Sequence, residues 1–527
     1  MADAFSSIIA PSAPGRFTAS IWDRLDRFLI LGVDGGTYYA GETDLAKTNV
    51  DNLLQCVLQD GLRTVDRIAQ IAVERRAIRQ TPGIFALAYC AVREDRPTRR
   101  AAYLNLSKVC VTASHLFEFM KFYKLLNGKF PRSFRTALQN WYVAKSPEDL
   151  TYQVVKYKQR HGWTHRDVLR LAHIDPKRFP RHADVLQFAV DEGLPALITF
   201  GADDIASLQP CSEIVLLNHF EALRRVAQNP QAVAEILSAS DLPREAVERV
   251  DTGLLNDARV WAALLPKMPA TALTRNLGKM SAVGLVSDGS PAESEIVRRL
   301  SHAKLHPFAL FLAWKTYTSG GGFRGKLRWS PTPAISSALI EATERAFTRV
   351  PKTNLRMLFG IDISGSMDTP IANTNITCAE GALALAKVLS LQAESYSAFG
   401  FNVRYTPIDL CPPLGNVLRA ARPWFGGATD CSLPMTFATQ QRLPVDVFVV
   451  LTDNETNANT IAPAEALRKY RKAMQIDAKL VVVAMTAGEI SIADPNDSGM
   501  LDCVGFDSAL PEVIQSFLGI GGSDYAE

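Results

Sequence analysis

Apolar residues recur at helical spacing through most of the chain's first two thirds and gather into short β-rich runs in the last third. From about Ser20 to Val350, stretches of helical period alternate with short breakers, and an alternating strand pattern is almost absent. In "NVDNLLQCVLQDGLRTVDRIAQIAVERRAI", Leu53, Val57, Leu62, Val65, Ile68 and Ala72 stand three to five residues apart, with Gly61 as a break between two helices. The pairs "AVAEILSAS" then "DLPREAVERV", and "DARVWAALLPKM" then "PATALTRNLGKMSAVGL", repeat the theme. Many short helices joined by tight turns predict an α-helical repeat architecture in which stacked helix pairs share one core.

After "TERAFTRVPKTN" the pattern changes. "LRMLFGIDIS", "SYSAFGF", "VDVFVVLTD" and "AKLVVVAMT" are β-branched and aromatic runs. Helical stretches such as "CAEGALALAKVLSLQ", "GNVLRAARPW" and "PAEALRKYRKAM" stand between them. Strands alternating with helices predict an α/β doubly wound parallel sheet with helices on both faces. The boundary falls near Pro351, dividing a helical domain over 20–350 from an α/β domain over 351–527.

Composition and charge sharpen this division. With 47% of its 527 residues hydrophobic and 21% charged, the chain has the material for packed cores, which excludes a mainly disordered protein. No apolar run approaches bilayer length and "MADAFSSIIAPSAPGRF" does not resemble a signal peptide, so a soluble cytoplasmic protein is expected, without a membrane partner. The eight cysteines are dispersed, with no C-x-x-C, and are expected to be reduced and buried. From Pro351 onward 12 Lys and Arg face 19 Asp and Glu, whereas the rest of the chain carries a net charge of +10. The basic larger segment is compatible with a polyanionic partner.

Candidate chemistry centres on "FGIDISGSMDTP". Asp362, Ser364 and Ser366 alternate at the end of an apolar strand, where ligands of an open α/β sheet bind. Thr429 in "GGATDCSLP" and Asp453 in "VVLTDNET" are expected on two other strand-end loops. Carboxylate and hydroxyl oxygens without His or Cys suit a hard cation, Mg²⁺ with Mn²⁺ as substitute. Taken alone, Asp followed by Ser-Gly-Ser is most often a helix N-cap and turn; the combination on three loops favours metal.

In "KYKQRHGWTHRDVLRLAH", Lys156 and Arg160 share a face if the segment is helical, with Lys158 and His161 close by. "HGW" makes a turn, and Thr164 caps a helix carrying Arg166, Arg170 and His173. Such cations suit phosphates, and Trp163 suits stacking on an unpaired base; a solvated helix face with Trp163 as a packing plug is the equal alternative. "GGGFRGKLRW" nearly matches a P-loop, but Leu327 stands where a Ser or Thr belongs and "LRWSP" does not begin a helix. Arg324, Lys326 and Arg328 with Trp329 read instead as a basic loop, either an RNA contact or structural packing. No H-E-x-x-H, G-x-S-x-G or Cys/His nucleophile pattern occurs, so no catalytic residue is assigned.

The Asp362, Ser364, Ser366, Thr429 and Asp453 set resembles the metal-ion-dependent adhesion site of von Willebrand factor A domains, whose open metal position takes a partner's carboxylate. More widely, "RLDRFLILGVDGGTYYA", "KYKQRHGWTHRDVLRLAH", "MPATALTRNLGKM", "HPFALFLAWKTYTSGGGFRGKLRW" and "GGATDCSLPM" through "IADPNDSGMLDCVGF" resemble the Ro ribonucleoprotein autoantigen family. That family joins a TROVE module to a von Willebrand A-like domain. The resemblance implies a ring of HEAT-like helix pairs closed by the A-like domain. It implies binding of Y-class small non-coding RNA on an outer basic edge, and capture of single-stranded 3′ ends of misfolded or precursor RNAs in the central hole. It also implies an exoribonuclease partner in stress-linked RNA processing; no DNA partner is expected. Members that bind Y RNA use positions matching Lys156, Arg160 and His173, and Arg275, Lys279, Arg324 and Lys326 complete the expected RNA-binding set. A metal-dependent adhesion-type protein scaffold is the alternative, and a metal-dependent nuclease a more distant one.

Overall fold

The valine- and isoleucine-rich runs become strands because side chains branched at Cβ pack well on a pleated surface covered on both sides. In chain order the strands are β1 (Thr37–Tyr39), β2 (Gln159–Arg160), β3 (Trp163–Thr164), β4 (Arg356–Asp362), β5 (Ser395–Phe401), β6 (Tyr405–Pro407), β7 (Val447–Thr452), β8 (Lys479–Ala484) and β9 (Met500–Val504). They belong to a computed structural model that describes residues 20–31, 37–39, 47–77, 79–126, 128–191, 212–322, 325–371, 374–402, 405–421, 429–453, 461–486, 492, 494, 497–506 and 510–519. The chain divides into two compact units, one of residues 1–53, 270–279 and 293–527, the other of residues 54–269 and 280–292.

The first unit holds a seven-stranded sheet of order β1-β9-β8-β7-β4-β5-β6. The four predicted runs are β4, β5, β7 and β8, paired parallel along the order β8-β7-β4-β5. The sheet is mixed rather than wholly parallel, because β6 returns antiparallel on β5 as an edge strand. β1 pairs parallel with β9; with three residues it is too short to show alternation in sequence. The helix Pro463–Met474 and the helix Leu433–Gln440 close a core on Leu358, Phe448, Val450, Leu480 and Val482. Gly360 admits Pro434 there, since a Cβ on it would sit 2.4 Å from the proline ring. The helix Cys378–Ser390, buried along nearly its whole length, packs on β4 and β7 outside that cluster.

The second unit is built from helices. The helix Lys47–Val73 is bent at Asp60 (φ −159°, ψ 93°), one residue before the predicted break. Gly61 matters for packing: a Cβ there would lie 2.0 Å from Thr98 Oγ1, so only glycine lets the helix Arg96–Leu104 approach. The helices Ala113–Leu125 and Arg132–Val143 bury an aromatic stack, with the Tyr123 and Phe134 rings 4.1 Å apart. Pro230–Ala239, Arg244–Val250 and Ala258–Leu264 form helices where the paired segments predict them. Among the described residues no helix is long and apolar enough to cross a membrane. None of the seven described cysteines is in a disulfide; six are buried, but Cys411 is exposed, contrary to expectation, in the loop before the Leu414–Ala421 helix.

Candidate functional site

β4 lies where the sheet changes direction: the chain leaves it for β5 on one side and later returns to β7 on the other. Such a switch point opens a crevice at the strands' carboxyl ends. Asp362, the last residue of β4, is fully buried there. Its Oδ1 accepts from the Ser364 amide at 2.8 Å, and its Oδ2 accepts from Thr452 Oγ1 at 2.8 Å. Thr429 Oγ1 stands 3.4 and 3.3 Å from the two carboxylate oxygens, and Ser364 Oγ is 3.0 Å from Ser366 Oγ. Four of the five predicted oxygen donors are therefore tied into one hydrogen-bonded cluster. Ser366 is its exposed member.

The fifth, Asp453, is 6% exposed and acts on Asp362 through its like charge. The Asp362 carboxyl is held above its usual range, chiefly by burial; hydrogen bonds from Ser364 and Thr452 oppose the rise and the Asp453 charge adds to it. Two neighbouring carboxylates out of water are costly unless a positive charge compensates them. An all-oxygen donor set with two acidic groups fits a hard divalent cation. The turn reading is also satisfied, because the Ser364 amide bond to Asp362 is an Asx-type contact. The segment of Thr429 is described only from that position onward, residues 422–428 lying outside the described residues. With Asp430 and Ser432 it leads into the Leu433–Gln440 helix, whose entry is fixed by Asp430 Oδ1 accepting from the Ser432 amide and hydroxyl.

The basic segment also differs from a continuous helix. The helix Pro147–Lys156 ends at Lys156, and Tyr157 leaves helical conformation (φ −115°, ψ 71°). β2 and β3 then pair antiparallel, Gln159 with Thr164 and Arg160 with Trp163. His161 and Gly162 join them at φ 52° and 78°, the doubly left-handed geometry of a tight hairpin turn. That turn forces Arg160 into extended backbone, so Lys156 and Arg160 do not share a helical face. The predicted cap does form: Thr164 and Asp167 make a capping box at the head of the helix His165–Ala172.

Lys158, Arg160, Arg166, Arg170 and His173 are all exposed, and His173 closes the helix in left-handed conformation. Lys156 is half-buried and donates from Nζ to Tyr152 Oη at 3.2 Å, with its ammonium 5.2 Å from the Tyr152 ring centre. Burial opposes its charge, but the Tyr152 bond and the pull of Tyr152, Tyr157 and Glu245 outweigh burial and leave its pKa raised. His165, by contrast, is core. It bonds Tyr142 at 2.9 Å and packs edge-on against Phe117.

Arg275, Lys279 and Lys326 lie in the first unit, and Arg324 lies outside the described residues. Lys326 is exposed on a loop closed by the Gly321–Arg328 bridge and by Trp329 N donating to Gly320 O at 3.0 Å. Trp329 is packing: its Nε1 donates to Tyr317 O at 2.8 Å, and a Cβ on Gly278 would come within 2.8 Å of its ring. Gly278 sits on the helix Ala270–Ala282 beside Lys279, with exposed Arg275 one turn earlier. No helix follows Lys326 until Pro333, so the near P-loop lacks its phosphate-binding turn.

Sequence reasoning missed Thr452 and Tyr152. The signal for Thr452 is a hydroxyl interrupting a buried run directly before Asp453; for Tyr152 it is the four-residue spacing to Lys156.

The chain is similar to known proteins over nearly its whole length. Residues 356–518 match the Ro60 vWA domain, and residues 12–194 and 242–357 match the TROVE domain. The chain is 34% identical to the RNA-binding protein RO60 of Deinococcus radiodurans, over 95% of this chain and 93% of that one. It is 32% identical to the RNA-binding protein RO60 of Caenorhabditis elegans, over 95% and 88%. The crystal structure of the Deinococcus radiodurans RO (RSR) protein superposes with a TM-score of 0.82 at 32% identity, covering 95% of this chain and all of that one.

Proposed function

The chain belongs to the Ro60 family, and from that premise we propose that it is an RNA-binding protein of RNA quality control. In this reading Y-class small RNA docks on the hairpin and helix carrying Lys156, Lys158, Arg160, Arg166, Arg170 and His173. Single-stranded 3′ ends of misfolded or precursor RNAs are captured separately, with Arg275, Lys279 and Lys326 as contacts and an exoribonuclease as the downstream partner. The observation that carries it is the run of exposed cations on a paired hairpin and the capped helix that follows it, with Lys156 bonded to Tyr152. Point charges held at fixed spacing suit successive phosphates.

The Asp362 cluster adds a second, protein-directed role. Asp362, Ser364, Ser366, Thr429 and Asp453 would hold Mg²⁺ or Mn²⁺ directly or through water. When bound, such an ion supplies positive charge and a coordination position for a partner's carboxylate. The chain's own part is to bury Asp362 beside Asp453 and to orient it with the Thr452 hydroxyl and Ser364 amide.

A filter-binding titration tests the RNA reading. A structured small RNA, with and without a single-stranded 3′ tail, is titrated at two salt concentrations in Mg²⁺ or EDTA. Tail-enhanced binding that weakens steeply with salt and ignores EDTA is expected. No binding at low salt would overturn the RNA reading and leave an adhesion-type scaffold whose ligands are acidic proteins.

A further inference from the structure

We propose that the groove between the helix Ala113–Leu125 and the β2–β3 hairpin is a stacking site for one unpaired nucleotide of the bound RNA, its base on Trp163 and its flanking phosphates on Lys121 and Lys124. The proposal rests on the RNA reading and specifies which part of the RNA is recognised. The groove has a volume of about 770 Å³ and is lined by Lys121, Lys124, Leu125, His161, Gly162, Trp163 and Asp167. That is room for a base and its sugar rather than for a duplex.

Each wall fits such an occupant. Trp163 is half-buried in β3 and lines the groove, which gives it a fixed orientation and an accessible surface. Lys124 Nζ is 5.9 Å from the Trp163 ring centre, and exposed Lys121 lies one turn earlier on the same helix face. An indole with one ammonium beside its ring and a second lysine lining the same groove, its Nζ 5.4 Å from the Phe122 ring, is a combination that suits single-stranded nucleic acid: stacking for the base, charge for the backbone. Leu125 is 69% exposed, an apolar rim with no solvent-facing role of its own. The groove's one carboxylate, Asp167, is already engaged by the Thr164 amide at 3.0 Å and hydroxyl at 2.6 Å, which moderates its repulsion of a phosphate.

The turn supplies an independent sign. His161 sits at φ 52°, a conformation that side-chain-bearing residues adopt at a cost, in a hairpin whose turn favours Asn or Gly. His161 also lines the groove, where its imidazole can donate to a base edge or phosphate.

The test compares two stem RNAs, one with a single-nucleotide bulge and one fully paired, with the full chain and its Trp163→Phe, Trp163→Leu and Lys121→Gln/Lys124→Gln variants. Wild type should bind the bulged RNA about tenfold more tightly, the scale of one stacked base. Trp163→Leu should erase that preference while leaving paired-stem binding intact, and Trp163→Phe should keep most of it. The double lysine variant should weaken the bulged complex most and flatten its salt dependence. In wild type, 5-iodouridine at the bulge should photo-crosslink to the peptide bearing Trp163. Equal affinity of wild type for the two RNAs, or a crosslink confined to another peptide, overturns the stacking site while the broader RNA reading stands. Failure to bind either RNA at low salt overturns both.

Discussion

Thr452 and Asp362 meet across the seam between β7 and β4, the threonine hydroxyl donating to Asp362 Oδ2 at 2.8 Å with both side chains buried. The bond orients a carboxylate whose folded pKa is raised. For such a group the folded state holds its proton more tightly, so stability is fully present below the unfolded pKa and falls as pH rises through the folded one. A divalent cation would remove that penalty. In EDTA at neutral pH, Asp362→Asn should therefore unfold at the same temperature as wild type or higher. Millimolar Mg²⁺ should raise the wild-type midpoint and leave the variant unmoved. Thermal unfolding with and without Mg²⁺ reads both; an equal Mg²⁺ response in the two proteins would exclude this carboxylate as a ligand.

His165 supplies the clearest pH dependence of the helical unit. Burial holds its pKa at about 3, against 6.5 for an ordinary histidine, and the nearby Arg249 charge lowers it further. The unfolded chain takes up this proton below pH 6.5 and the folded chain does not. Stability is thus fully present above that value and lost as pH falls towards 3. At pH 4.5 the loss is about 2–3 kcal/mol from this residue. His165→Phe should cost about 1–2 kcal/mol at pH 7.5, because it strands the Tyr142 hydroxyl, yet flatten the decline to pH 4.5. Urea unfolding of both proteins at the two pH values measures the difference.

Much of the α/β unit was legible because β4, β7 and β8 are buried almost throughout and read as β-branched and apolar runs, while the more exposed β5 still stands out by its aromatic residues. β5 and the Pro463–Met474 helix fall on the quoted segments residue for residue. What escaped was short or set by tertiary contact. β1 exists because β9 offers it a ladder, and Thr429 is brought to Asp362 by a contact between residues 67 positions apart. At the basic segment, local turn chemistry overrode helical spacing. His161-Gly162 is a hairpin turn, and it moved Arg160 off the face assigned to Lys156 while leaving the Thr164 cap where its sequence put it.

That displacement separates the roles of Lys156 and Arg160. Lys156 is anchored through Tyr152, so Tyr152→Phe should weaken structured-RNA binding by a few-fold through loss of the hydroxyl, and Lys156→Ala by about tenfold. Lys156→Ala with Arg160→Ala should lower the log–log salt slope of stem binding by about two phosphates' worth and leave single-strand capture nearly intact. Equal loss of both activities would defeat the idea of two separate RNA surfaces.

Gly278 offers a test of the other candidate surface that does not touch a charge. Its Cα faces the Trp329 ring so closely that a methyl group would lie 2.8 Å from two ring carbons, well inside contact distance. The ring cannot yield freely, because Trp329 Nε1 is bonded to Tyr317 O at 2.8 Å and the two rings stack at 6.5 Å. Gly278→Ala should therefore push Trp329 and the Lys326 loop away from the Ala270–Ala282 helix, at a cost of about 1–3 kcal/mol. Single-strand capture should weaken while the hairpin's stem binding is unchanged. The expected readout is a lower unfolding midpoint together with a selective loss of tail-dependent RNA affinity. Destabilisation with tail capture fully retained would show that the Lys326 loop is packing alone, and would take Lys326 out of the RNA-binding set.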